Sequence, residues 1–140
     1  AEQVFAEFLQ ARNQVELFPG ALTLLETLQQ DYQVIALSNG NSDLTKIGLD
    51  HLFKAHYHAE NVERPKPHAD MFLAALEHAQ VTADESLHIG DHPEQDIEAA
   101  RQLGFKTVWA NVLTQEWPNS FEQADHEITH LDQIISILKR

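Results

Sequence analysis

The chain has 140 residues, 43% of them hydrophobic, which is enough to bury the core of one domain and too few for two. Its 22 acidic and 9 basic residues give a formal charge of −13, which argues against nucleic acid and membrane surfaces as partners. The absence of cysteine excludes disulfides and thiolate zinc sites, and no membrane span or secretory signal is recognisable. We therefore expect a cytoplasmic protein.

The first predicted element is a helix. From Glu2 to Leu17 the apolar residues recur at helical spacing, and Phe18-Pro19-Gly20 ends the pattern. A second helix is predicted from Ala21 to Gln30, and a buried strand from Tyr32 to Leu37.

The same alternation continues along the chain. The further predicted helices cover 42–49, 68–80, 93–103 and 131–138, and the further predicted strands cover 55–59, 86–90, 107–110 and 126–129. Strands that alternate with helices favour an α/β fold, Rossmann-like, with a mainly parallel sheet and helices on both faces.

Polar residues that follow buried strands are the candidates for a site, because ligands bind beyond the carboxyl ends of the strands in an open parallel sheet. The first group is Ser38, Asn39 and Gly40, which directly follows the strand that ends at Leu37. A hydroxyl and the neighbouring backbone N–H groups can hold phosphate oxygens there. Taken alone, the sequence is more often an ordinary turn and helix cap.

The second group is Arg64-Pro65-Lys66-Pro67, in which two prolines restrict the backbone around one lysine. Such a lysine can neutralise a phosphate, although a solvated lysine in a proline-bounded loop before a helix is the better explanation of this group taken alone.

The third group places Asp91 after the predicted strand 86–90 and Asp96 in the first turn of the next helix. Paired carboxylates of this kind suit Mg²⁺. The alternative is that Asp91 caps the helix and Asp96 complements its dipole.

Together, the three groups resemble motifs two, three and four of the haloacid dehalogenase-like (HAD) hydrolase superfamily, over about Phe18 to Trp109. Ser38 matches the hydroxyl of motif two, Lys66 the lysine of motif three, and Asp91 with Asp96 the acidic pair of motif four. The resemblance implies a capped, Mg²⁺-dependent phosphatase that acts on a small phosphorylated metabolite through an aspartyl-phosphate. Asp91 favours phosphoryl transfer, because dehalogenases of the superfamily usually carry a Ser-x-Asn type sequence there and use no metal.

The resemblance also implies a role for each residue. Asp91 would hold Mg²⁺, with Asp96 supporting the metal or orienting the lysine. Ser38, Asn39 and Gly40 would hold phosphate oxygens. Lys66 would be the catalytic residue that offsets charge on the nucleophile and the phosphoryl group.

Motif one of the superfamily, an Asp-x-Asp whose first aspartate attacks phosphorus, does not occur in the sequence. The resemblance therefore implies a carboxyl-terminal fragment, with residues 1–17 the remnant of a helical cap and 18–140 a core that lacks its central first strand. We expect this chain to be inactive alone. A separate amino-terminal fragment, closure of the flanking strands or strand exchange with a second copy would fill the gap.

An alternative interpretation is a noncatalytic α/β regulatory domain that binds Mg²⁺ or phosphate. His56 and His58 lie on one side of a predicted strand, where exposed histidines are a better explanation than a metal site. His92, beside Asp91, is a candidate for substrate contact.

Overall fold

The computed structural model describes residues 3–6, 9–10, 16–17, 21–38, 53–58, 64, 66, 68–111 and 114–138. The strands are β1 (Gln3–Ala6), β2 (Leu9–Gln10), β3 (Glu16–Leu17), β4 (Gln33–Ser38), β5 (Ala55–His58), β6 (Ser86–Gly90), β7 (Lys106–Ala110) and β8 (His126–Ile128). The helices are α1 (Ala21–Leu28), α2 (Asp70–Ala79), α3 (Ala99–Leu103) and α4 (Gln133–Leu138). A 3-10 turn covers Ala83–Glu85, and a π-helical turn covers Pro93–Glu98 and leads directly into α3.

Six strands form one parallel sheet in the order β5-β4-β1-β6-β7-β8. The two short strands β2 and β3 pair with each other in antiparallel fashion, outside this sheet. Strand β1 lies between β4 and β6, so the first strand of the chain is central in the sheet.

The position of β1 corrects the prediction of a helix from Glu2 to Leu17. Gln3–Ala6 is a strand, in register with Gln33–Ala36 on one side and Ser86–Ile89 on the other. The predicted gap in the sheet was therefore wrong, and so was the assignment of these residues to a cap helix. Pairing on both sides satisfies the backbone N–H and C=O groups of β1 and of its neighbours, which outweighs the weak helical spacing of a short apolar run.

Helices cover both faces of the sheet. Alternate residues of β4 point to opposite faces, so that Val34 packs with α1 and α4 while Ile35 and Leu37 pack with α2 and α3. Both faces of a parallel sheet are normally buried in this way. The predicted α/β architecture is confirmed.

The helix α2 shows how the sequence produces these layers. Its buried residues Met71, Phe72, Ala75 and Ala79 recur at helical spacing, so one face packs on the sheet. The helix ends at Ala79, and the next residue, Gln80, has a left-handed backbone (φ 58°) and donates its N–H to the carbonyls of the last turn.

The other predicted elements agree with the structure to within about two residues, which is the usual spread of element boundaries. The predicted helix at 42–49 lies outside the described residues. In the described ranges, none of the helices combines the length and apolar character needed to cross a membrane.

Candidate active site

The strands β4 and β6 flank β1, and both extend beyond it at their carboxyl ends. Ala6, the last residue of β1, is level with Ala36 and Ile89, whereas β4 continues to Ser38 and β6 to Gly90. Parallel strands present all their carboxyl ends at one edge, which is where ligands bind in such sheets. The residues that follow β4 and β6 therefore share this edge.

Lys66 is buried at this edge, with only 3% of its surface exposed. Its ammonium group donates a hydrogen bond to the backbone carbonyl of Leu37 (3.2 Å), next to Ser38 at the end of β4. It also forms a hydrogen-bonded ion pair with Oδ1 of Asp96. A solvated loop lysine, the alternative for this motif, does not describe this side chain.

Asp96 accepts hydrogen bonds on both of its carboxylate oxygens. Oδ1 accepts from Lys66 Nζ and from His88 Nε2 (3.0 Å), and Oδ2 accepts from the backbone N–H of His92 (3.1 Å). The donors come from three separate parts of the chain. The sequence left open whether Asp96 supports a metal or orients the lysine, and its contact with Lys66 Nζ is the geometry that the second role requires.

The ionisation of Asp96 is set by these partners. Burial favours the neutral acid, but the charge of Lys66 and the hydrogen bond from His88 outweigh it and hold the pKa of Asp96 well below its usual value. Lys66 and Asp96 therefore form a buried pair of opposite charges. Such a pair is strongly destabilised when only one partner is removed.

The close approach of Gly90 and Asp96 makes this arrangement possible. A Cβ atom on Gly90 would lie 2.3 Å from Cγ of Asp96. The chain then turns through Pro93–Glu98 with π-helical hydrogen bonding, in which the N–H of Ile97 donates to the carbonyl of His92 (3.3 Å). This wide turn brings Asp96 back over Gly90, and π-turns are frequent at functional sites.

Asp91 is the half-buried carboxylate at the mouth of the site. Burial, together with the negative charge of Asp96, raises the pKa of Asp91. A divalent cation would favour the ionised form of this carboxylate, and Mg²⁺ typically takes one or two protein carboxylates and several waters. The carboxylate oxygens of Asp91 are therefore suitable ligands for Mg²⁺. Across the part of the chain that the structure describes, no group of three or more acidic, histidine or cysteine side chains could hold a metal.

A cavity of about 280 Å³ adjoins Asp91 and is lined by Asp91, His92, Pro93, Ala110, Asn111 and Gln115. The Nδ1 atom of His92 accepts hydrogen bonds from the backbone N–H groups of Glu94 (3.2 Å) and Gln95 (3.0 Å). His92 therefore caps the turn, in place of Asp91, and its proton lies on Nε2. Trp109 also fixes the loop, because its indole N–H donates to the carbonyl of Asp91 (3.0 Å).

The predicted site residues are only partly described. The structure brings Lys66, Asp91 and Asp96 to one edge, and it describes the backbone of Ser38 but not its side chain. Asn39 and Gly40 lie outside the described residues, as do the side chains of His56 and His58. Sequence reasoning missed His88. The available signal was a polar residue within the apolar strand Leu87-His88-Ile89.

A family model described as haloacid dehalogenase-like hydrolase matches residues 1–110. The chain belongs to this family. It is 31% identical over 133 residues to glyceraldehyde 3-phosphate phosphatase of Pyrococcus furiosus, an alignment that covers 87% of the chain and 54% of that protein. The chain thus spans about half the length of the curated relatives it matches.

Solved structures of other family members share the fold. A 2-haloacid dehalogenase from Pseudomonas syringae superposes with a TM-score of 0.85 at 35% identity, covering 91% of the chain and 55% of that structure. The putative HAD-hydrolase YfnB from Bacillus subtilis, determined with bound magnesium, superposes with a TM-score of 0.81 at 28% identity, covering 89% and 57%. The proteins similar to this chain therefore include both a phosphatase and a dehalogenase.

Proposed function

We propose that this chain carries the phosphate and Mg²⁺ supports of a phosphatase that hydrolyses a small organic phosphate monoester through an aspartyl-phosphate. The observation that carries the proposal is the buried Lys66, held by Asp96 at the sheet edge beside Asp91. A buried cation at this edge of an acidic protein offers local attraction for an anionic phosphate.

Each residue has a separate task in the proposal. Lys66 offsets the charge of the phosphoryl group, and Asp96 holds the lysine in place. Ser38, Asn39 and Gly40 are assigned to the phosphate oxygens. Asp91 would hold Mg²⁺, which when bound supplies Lewis-acid stabilisation of charge on the phosphoryl oxygens.

Phosphatase activity is favoured over dehalogenation, although a dehalogenase is among the similar structures. The sequence Gly90-Asp91 provides a hard oxygen donor for Mg²⁺, which a dehalogenase does not need. The Pyrococcus relative acts, by its name, on a three-carbon phosphate ester. We therefore assign the substrate to the small phosphorylated metabolites.

The nucleophile remains missing from this chain even though the central strand is present. Strand β1 is followed in the sequence by Glu7-Phe8-Leu9, and no Asp-x-Asp occurs anywhere in the 140 residues. Loss of the nucleophile costs roughly 10⁶ in turnover in a well-studied hydrolase. We expect the chain as printed to bind phosphate but to release none from a phosphate monoester.

Activity is tested with para-nitrophenyl phosphate and Mg²⁺, using protein whose intact mass has been verified. No release above the buffer rate is expected. Robust Mg²⁺-dependent turnover would overturn the proposed inactivity, while leaving the assignment to phosphatases in place. Chloride release from 2-chloropropionate would instead overturn that assignment.

Phosphate binding is tested by NMR titration with inorganic phosphate and Mg²⁺, following the backbone signals of Gly90 to Asp96. Lys66→Met keeps most of the side-chain length and removes the charge. We expect it to weaken binding about tenfold or more, which is the range of a hydrogen bond to a charged group. Lys106→Met is the matched control, because Lys106 is exposed at the amino end of β7, whereas the candidate site lies at the carboxyl ends of the strands. Equal affinities in the two variants would contradict the proposal.

A further inference from the structure

His88 is a fully buried polar residue in the middle of β6. The backbone of this position pairs with Phe5 on one side and Thr107 on the other. Its ring packs edge-on against Phe72, with ring centroids 4.9 Å apart. An aliphatic residue would fill such a position without the free-energy cost of burying imidazole nitrogens. A buried histidine at this position is therefore expected to form a hydrogen bond that offsets this cost.

His88 forms this hydrogen bond with Asp96. His88 Nε2 lies 3.0 Å from Asp96 Oδ1, which also accepts from Lys66. An ionised carboxylate can only accept, so Nε2 must carry the hydrogen and donate it. His88 thus supplies one of three donors to the Asp96 carboxylate among the residues that the structure describes.

We infer that His88 is a positioning residue: its Nε2–H orients the Asp96 carboxylate and, through it, both Lys66 and the backbone beside Asp91. The inference deepens the proposed function and rests on it. In this inference His88 acts through Asp96, rather than by its own contact with a phosphate or a metal.

The geometry explains why a third donor matters. The carboxylate torsion of an aspartate has a broad energy profile, so Asp96 needs external contacts to fix its plane. Lys66 is a long side chain, and the N–H of His92 belongs to the turn that Asp96 itself anchors. His88 lies in β6, which is hydrogen-bonded to β1 on one side and to β7 on the other, so its ring holds the Asp96 carboxylate from within the sheet and thereby orients Lys66 and the N–H of His92.

Two variants separate positioning from packing. His88→Gln keeps an N–H donor on a flexible amide, whereas His88→Phe keeps a ring against Phe72 and has no donor. Loss of a hydrogen-bond partner that orients a metal-site residue typically lowers metal affinity or activity about 10- to 100-fold. We expect His88→Phe to weaken phosphate binding, titrated by NMR in the presence of Mg²⁺, by about tenfold or more. His88→Gln should stay within about threefold of the parent chain, by the same reasoning.

Two further NMR readouts do not depend on phosphate. Long-range ¹H–¹⁵N spectra of the histidine rings should show the hydrogen of His88 on Nε2. The His92 amide, which donates to Asp96, should exchange faster with solvent in His88→Phe than in His88→Gln. Phe105→Leu is the packing control, because Phe105 belongs to the same apolar cluster and its ring centroid lies 5.5 Å from that of Phe72. It should change neither binding nor His92 exchange.

The results discriminate between the inference and the proposed function. If the parent chain binds no phosphate, the proposed function fails, and His92 exchange still decides the role of His88. The inference is wrong if His88→Phe has the same His92 amide exchange and the same phosphate affinity as the parent chain. It is also wrong if His88→Phe and His88→Gln lose phosphate affinity equally, because His88 would then only fill space.

Discussion

Substitution of Gly90 by alanine is expected to displace the Asp96 side chain, which packs directly against the Gly90 backbone. The added methyl would lie 2.3 Å from Cγ, 2.4 Å from Cβ and 2.6 Å from Oδ2 of Asp96. Asp96 cannot simply move aside, because Lys66, His88 and His92 hold its two oxygens. The methyl must therefore displace the carboxylate from its partners.

The size of the effect follows from two contributions. Overpacking of a full site costs about 1–3 kcal/mol, and separating a buried ion pair costs about 3–5 kcal/mol. We expect Gly90→Ala to lose about 3–5 kcal/mol, because displacement of Asp96 relieves the overpacking as it breaks the pair. That is a large share of the roughly 5–15 kcal/mol by which a native domain is stable.

Urea denaturation measures this loss, and Gly104→Ala is the control. Gly104 has φ 95°, and its added methyl would meet only Ala83, at 3.7 Å. The left-handed backbone alone costs an alanine about 1–2 kcal/mol. In an Asp96→Gly background the methyl on residue 90 meets no side chain at position 96, so Gly90→Ala should have a much smaller effect there. Equal losses in both backgrounds, or a Gly90→Ala chain as stable as its parent, would refute the reasoning.

Four further predictions concern the two carboxylates of the site, the pH dependence of stability and the central strand. Asp96→Asn should destabilise the chain by about 3–5 kcal/mol at neutral pH, because Lys66 keeps a buried charge without its partner. Asp91→Asn should instead raise the thermal midpoint, because burial disfavours the negative charge of Asp91. The pKa of Asp96 in the folded chain lies below the usual aspartate value of 3.8, so the unfolded state binds the proton first as the pH falls. The stability contributed by Asp96 is thus complete above about pH 3.8 and declines as the pH falls further. Urea denaturation of the parent chain at a series of pH values should show this decline, and the same measurement on Asp96→Asn should lack the contribution of Asp96. Phe5→Pro removes a ladder N–H from the central strand and should cost about 3 kcal/mol or more; an unchanged urea midpoint would show that β1 contributes nothing to the sheet.

The sequence predicted most of the sheet and helices because their patterns are strong and local. The apolar runs before Ser38 and Asp91, and the helical spacing of Met71, Phe72 and Ala75, indicate buried elements whatever surrounds them. The candidate site followed from the same patterns, because polar residues after buried strands meet at one sheet edge. The resemblance then assigned their chemistry.

The first strand shows where local pattern fails. Four residues, Gln3–Ala6, are too few for a period to distinguish a helix from a strand. Their conformation depends on the open edges of β4 and β6, which are distant in the sequence and offer hydrogen bonds on both sides. Only the assembled sheet contains that information.

The sequence by itself determined the alternating α/β order and the absence of an Asp-x-Asp, since both depend only on the order of residues. The tertiary structure decided that Gln3–Ala6 completes the sheet and that Lys66, His88 and the backbone of His92 converge on Asp96. Lys66 and Asp96 are 30 residues apart, and no local pattern records their distance. Their contact arises because the strands β4 and β6 end at the same edge of the sheet, on either side of β1.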